Sequence, residues 1–214
     1  MKGLIVTSTD LGSGKTYITT LLLKALRDRG VNAIGYLPVA CGVRANARLL
    51  HAAGPKDVPL EDVNPIYLKN LTSPYVANLL EGTVLDMQLI QDKFLDLQKR
   101  YDLVLVEGIG GWETPLTGKE RFSDYAAMLN LPTMLVTHNC PGMLNHTILT
   151  ANAIAAKGIP CIGLAVNNIQ VEWSTTALTN RGVIEDLTGL PILAELISGQ
   201  DYIDELPVLE ALGL

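Results

Sequence analysis

Residues 7–16 read TSTDLGSGKT and lie directly behind the apolar run Leu4-Ile5-Val6. The stretch ends in the Gly-Lys-Thr of a phosphate-binding loop, but the position where such loops usually carry their first glycine holds Thr9. A strand, a Gly-rich loop and a helix opening at Lys-Thr have a physical logic. Successive backbone N–H groups make an anion-binding nest, and the helix N-terminus adds roughly half a positive charge. Gly12, Ser13 and Gly14 would let the backbone approach phosphates, Lys15 would reach the β- and γ-oxygens, and the Thr16 hydroxyl would bind Mg²⁺. A plainer reading, a strand–turn–helix with an accidental GKT, is opposed by the loop's place after the first strand. The missing glycine points to a deviant loop that still holds a nucleotide.

Outward from this loop, strands and helices alternate. Leu4–Thr7 reads as a strand and Thr16–Arg29 as a helix closed by Arg29-Gly30. Further strands are expected at Ala33–Leu37, within 101–108 (YDLVLVEG), and at 132–137, 161–166 and 191–196. Helical periodicity marks Val84–Lys99, and helices are expected near 143–157 and 175–188. Continuous apolar strands alternating with helices imply a mostly parallel sheet covered on both faces. The fold class is therefore α/β, a three-layer arrangement of the P-loop NTPase type, with residues 1–214 as one domain. Residues 41–80 are broken by Pro55, Pro59, Pro65 and Pro74. One short helix, Ala45–Ala53, and a long excursion over the strand ends are expected there.

A second cluster, LVLVEGIGGWETPL (103–116), delivers Glu107 at the end of a buried strand, followed by three glycines within four residues. In open α/β sheets that edge is the ligand crevice. A carboxylate there can bind Mg²⁺ directly or through water. Gly110 and Gly111 would admit close approach to the backbone. Glu107 could instead cap a helix or pair with a surface lysine.

Composition excludes several classes. The 214 residues are 48% hydrophobic and carry a net charge of −6, and no basic run exceeds two residues, so a nucleic-acid partner is not expected. No apolar stretch approaches the ~20 residues that span a bilayer. The N-terminus runs straight into a strand, and the three cysteines, Cys41, Cys140 and Cys161, lack paired spacing. A cytoplasmic protein with reduced thiols is expected. His51, His138 and His146 have no metal-ligand spacing.

Taken together, these motifs resemble dethiobiotin synthetase of biotin synthesis. TSTDLGSGKT is similar to that family's T-x-T-D-x-x-x-GKT, and GYLPVACG (35–42) to its GYKPV-x-x-G. VNPIYL…TSPYVA (63–77), VEGIGGWETPL, LNHTILT (144–150) and VNN (166–168) resemble further family segments, in order along nearly the whole chain. The resemblance implies an ATP- and Mg²⁺-dependent ligase acting as a homodimer. CO₂ carboxylates 7,8-diaminononanoate, ATP phosphorylates the carbamate, and the second amine closes a cyclic urea. It further implies that Gly12 to Thr16 hold the phosphates, with Lys15 catalytic. Thr16 and Glu107 would hold Mg²⁺, and Asn167 would touch adenine. Gly110, Gly111 and Cys41 would lie on the diamine side. Asn145 would help bind the substrate carboxylate, of its own subunit or the partner's; a helix N-cap is the alternative reading.

The departures from the family fall at the chemistry. Its GYKPV lysine is Leu37 here, its metal-binding aspartate aligns with Asn46, and a usually polar loop position is Leu11. Asparagine can coordinate through its carbonyl but brings no charge. Arg44 or Arg48 could supply the missing cation. Segment 194–200 lacks the Glu-x-Pro that often cups adenosine. Two other readings follow from these changes and from the fold type. One is a nucleotide-binding paralogue with lost or altered catalysis. The other is a nucleotide-switched dimer like the cell-division and partition ATPases. Against the second stands an acidic, Pro-broken C-terminus, DYIDELPVLEALGL, which is unsuited to membrane docking.

Overall fold

The computed structural model describes residues 3–169 and 175–214. The chain begins with β1 (Gly3–Ser8), all of it buried, then the phosphate loop, then α1 (Lys15–Asp28). β2 (Ala33–Tyr36) and β3 (Val39–Cys41) follow, then α2 (Ala45–Ala53), α3 (Leu60–Val63), β4 (Ile66–Leu68), α4 (Pro74–Glu81) and α5 (Met87–Arg100). The second half contains β5 (Leu103–Glu107), α6 (Phe122–Leu129), β6 (Thr133–His138), α7 (Met143–Ala156), β7 (Cys161–Asn168), α8 (Thr175–Thr188), β8 (Ile192–Ile197) and α9 (Leu206–Leu212).

Six strands form one sheet in the order β2-β5-β1-β6-β7-β8, and every pairing in it is parallel. The expected α/β class with a parallel sheet is what the chain adopts. β1 sits between β5 and β6, and the chain leaves it first towards β2 and later towards β6. The crevice of such a sheet lies at this switch, outside the strands' carboxyl ends. The register places Val6 beside Glu107 and Ser8 beside Val136. The phosphate loop and the acid of β5 thus emerge side by side.

Apolar burial explains the layers. Leu22, Leu23 and Leu26 of α1 and Ile90, Phe94 and Leu97 of α5 are buried. Each such side chain contributes roughly 1.5–3 kcal/mol. The hydroxyl of Tyr36 donates to Ile90 O at 2.6 Å, and that of Tyr125 lies 3.3 Å from the same carbonyl. The polar ends of two core rings are therefore satisfied without reaching water.

Several boundaries moved, each for a local reason. α5 starts at Met87 because the Asp86 side chain accepts from Leu89 N at 2.9 Å, a cap that contributes about 1 kcal/mol. Segment 41–80 holds α2 at the expected bounds, but also α3, α4 and a parallel two-stranded ribbon of β3 and β4. Strands of three residues are too short to show periodicity. α6 was hidden because its cap is formed by residues outside the usual set. Arg121 N donates to the side chain of Asp124, three residues on, at 2.8 Å. The proline of the acidic C-terminus does not break it, since Pro207 sits in the first turn of α9, where its missing N–H costs nothing.

Candidate active site

The phosphate loop leaves β1 and turns into α1 at Gly14. Gly12 and Gly14 have φ of +77° and +93°, a backbone region that strongly favours glycine. Gly14 has a second reason to lack a side chain, because a Cβ there would lie 2.2 Å from Asn167 Nδ2. Asp10 Oδ1 accepts from Leu11 N at 2.7 Å and shapes the start of the loop.

Lys15 is buried, and its Nζ donates to Ser8 Oγ at 2.8 Å. Burial pulls its ammonium below the usual lysine range, opposed by the nearby charges of Glu107 and then Asp10. Glu107 is buried too, and burial pushes its carboxyl up to about 7, against the lowering effects of the Thr16 hydroxyl and Lys15. Thr16 Oγ1 donates to Glu107 Oε1. The other oxygen, Oε2, is buried without a hydrogen-bond partner. An orphaned carboxylate oxygen next to a threonine hydroxyl is a donor set suited to a hard cation that takes its remaining ligands from water and phosphate. Among the described residues no group of three or more His, Cys, Asp or Glu side chains is gathered.

These groups open into one cleft of about 340 Å³. Gly12, Gly14, Lys15, Thr16, Glu107 and Gly110 line it, and so do Cys41, Leu37, Asn46 and Leu11. Three of the positions at which the chain departs from its motif pattern, Leu11, Leu37 and Asn46, therefore border this one cleft. Leu37 is buried in the wall, whereas Leu11 is 78% exposed at the mouth. Asn46, in the first turn of α2, faces the cleft without charge. Burial, then Glu81, pushes the Cys41 thiol up to about 11, so it stays protonated at neutral pH and forms a neutral wall.

The glycine turn has internal reasons for its composition. Gly110 has φ of +65°, and a Cβ on Gly111 would meet Thr9 O at 3.2 Å. The turn is packed tightly against the phosphate loop. Trp112 is 2% exposed and stacks edge-on against Phe122, with centroids 6.1 Å apart; it fills the core and does not cover the cleft.

Three other expected residues lie elsewhere. Ser13 Oγ is buried without a partner, while its carbonyl accepts from Asn167 Nδ2 at 3.0 Å. Asn167 Oδ1 accepts from Ile169 N at 2.9 Å, so the amide ties the end of β7 to the phosphate loop. Asn145 is exposed on α7 and outside the cleft; the N-cap of that helix is Gly142, which overturns the capping reading. Arg44 does not replace a missing cation. Its Nε donates to Asn64 Oδ1 at 2.8 Å, and its guanidinium lies over the Tyr67 ring. It lines, with Arg48, a separate hollow.

Sequence reasoning missed Ser8, the partner of Lys15. It also missed Val43, Leu71 and Ile109, apolar residues of the cleft wall. The three-dimensional return of segment 39–71 over the loop reveals Val43 and Leu71, and Ile109 comes from the glycine turn itself.

A family model described as an AAA domain matches residues 2–204. The ATP-dependent dethiobiotin synthetase BioD of Akkermansia muciniphila is 48% identical over 212 residues, covering 99% of this chain and all of that protein. The protein of the same name from Halalkalibacterium halodurans is 34% identical, covering 90% of this chain and 83% of the relative. Among solved structures, the septum site-determining protein MinD of Pyrococcus horikoshii, complexed with Mg-ADP, matches with a TM-score of 0.60 at 19% identity. That match covers 98% of this chain and 83% of MinD. A ParA family ATPase of Chlorobium tepidum matches with a TM-score of 0.59 at 12% identity, covering 99% of this chain and 89% of that one. These two likenesses are of fold alone.

Proposed function

The chain belongs to the ATP-dependent dethiobiotin synthetase family, and from that premise we propose how its cleft carries out the family's ligation. The observation that carries the reading is the convergence of Lys15, Thr16, Glu107 and the Gly110 turn on one cleft at the sheet's switch point. ATP would lie with its phosphates on the amides of Gly12 to Thr16. Lys15 would neutralise charge on the β- and γ-phosphoryl oxygens, and Asn167 would stand on the adenine side. Phosphoryl transfer relies mainly on such placement and charge neutralisation.

The Thr16 hydroxyl and the Glu107 carboxylate would hold Mg²⁺. When bound, the ion would offset phosphate charge that Lys15 alone leaves uncompensated. On the substrate side, CO₂ and one amine of 7,8-diaminononanoate give a carbamate, whose oxygen takes the γ-phosphoryl group. The second amine then attacks the carbamoyl carbon, phosphate leaves, and a cyclic urea results. Cys41, Gly110 and Gly111 would border the diamine. The apolar wall of Leu37 and Val39 suits its alkyl chain and keeps water from the activated carbamate.

A homodimer is part of this reading, supported by the exposure of Asn145 away from its own cleft. A second copy would bring Asn145 to the substrate carboxylate. Asn145→Ala should then raise KM for the diamine several-fold and leave KM for ATP unchanged; an effect on ATP alone would contradict it. Three unpaired cysteines support a reducing, cytoplasmic setting. No helix among the described residues is long and apolar enough to cross a membrane.

The test is direct. Protein, Mg-ATP, bicarbonate and the diamine should give ADP and the cyclic urea in equal amounts. A second reading, nucleotide binding with lost turnover, is favoured by one observation: Leu37 and Asn46 line the cleft and bring it no charge. Tight ATP binding with no urea formed would decide for it.

A further inference from the structure

Ser8 has no part in the reading above, yet its hydroxyl joins three parts of the site. It is the last residue of β1 and fully buried. Lys15 Nζ donates to its Oγ at 2.8 Å. The same oxygen lies 2.8 Å from Asp10 O in the phosphate loop and 3.2 Å from Gly110 O in the turn after β5. A hydroxyl has one proton and two lone pairs. The proton goes to a carbonyl, since carbonyls only accept, and the lone pairs are left facing the ammonium. Asp10 O is the nearer acceptor for that proton, and a lone pair is left for Lys15.

An ammonium has three donors. With one engaged on Ser8, two remain for phosphate oxygens in the cleft that Lys15 lines. We propose that Ser8 is a positioning residue that fixes where Lys15 meets the phosphates of the nucleotide. The Ser8 oxygen also lies 3.2 Å from Gly110 O, where the substrate-side turn packs against the phosphate loop. The inference rests on the nucleotide-binding reading given above. A serine that merely filled space beneath β1 would be replaceable by alanine.

The experiment is a double-mutant cycle on the full-length protein. Ser8→Ala and Ser8→Gly are made in the native background and in Lys15→Met, and Mg-ATP affinity is measured by titration calorimetry alongside steady-state kinetics. In the native background both substitutions should weaken Mg-ATP binding and raise KM for ATP about tenfold, the size expected for a lost hydrogen bond to a charged group. KM for the diamine should stay within twofold. In the Lys15→Met background the same substitutions should change nothing further, because Ser8 acts through Lys15. Native affinity in either Ser8 variant overturns the proposal, as does an equal loss in both backgrounds. Using two variants guards against one of them misfolding. Absence of Mg-ATP binding by the unaltered protein would instead sink the nucleotide reading itself.

Discussion

Lys15→Met should lower turnover by about 10²- to 10³-fold, the usual cost of deleting one group that stabilises transition-state charge. The cation is buried at the floor of the cleft, held on Ser8 and close to Glu107. In such a place its charge is screened little by solvent. Methionine keeps much of the volume, so the fold should survive. The loss should appear in kcat and still more in kcat/KM, because Lys15 meets phosphate charge in the bound nucleotide and also its redistribution in the transition state. Lys15→Arg should not rescue it. A planar guanidinium cannot present the point charge of an ammonium in a slot already shaped by Ser8. The check is ADP release in the presence of diamine and bicarbonate. Turnover within threefold of native would remove Lys15 from the chemistry.

Much of this site was legible in the sequence because it is built from contiguous motifs on predictable elements. TSTDLGSGKT follows a continuous apolar strand, and the strand ending in Glu107 pairs directly with it, so the two motifs had to meet once the sheet was parallel. The helix Ala45–Ala53 was equally readable, as the stretch left unbroken ahead of Pro55, Pro59, Pro65 and Pro74. What stayed hidden depends on long-range return. β3 and β4 are three residues each and exist only by pairing with one another across the intervening segment 42–65. The fate of Arg44 depends on Asn64 and Tyr67, which that pairing brings near. Ser8 falls one residue past the expected strand Leu4–Thr7, and its role needs the geometry of Lys15 and the phosphate loop together. Leu11, Leu37 and Asn46 stood out by type, and the structure adds that all three border one cleft.

Glu107→Gln should separate stability from activity. The folded carboxyl sits at about 7, above the ordinary value of 4.5, because burial disfavours its charge. An acid whose pKa is raised on folding holds more protons folded than unfolded between those two values. Without metal or nucleotide, native stability should therefore fall as pH rises from about 4.5 to about 7 and stay low above it. The shift corresponds to about 3 kcal/mol at pH 8. Glutamine carries no charge to bury, so the variant should lack this pH dependence. In the ligand-free state at pH 8 it should melt several degrees higher than native. Adding Mg-ATP should reverse the order. The native carboxylate gains a cation and its orphaned oxygen gains a partner, whereas glutamine offers the metal only a weak neutral ligand, so only the native protein should be strongly stabilised. Turnover should drop by about 10²-fold. Thermal melts at pH 5 and pH 8, with and without Mg-ATP, would test both halves. If native and variant melt alike at pH 8 without ligand, the buried charge is absent. If Mg-ATP stabilises both equally, Glu107 does not hold the metal.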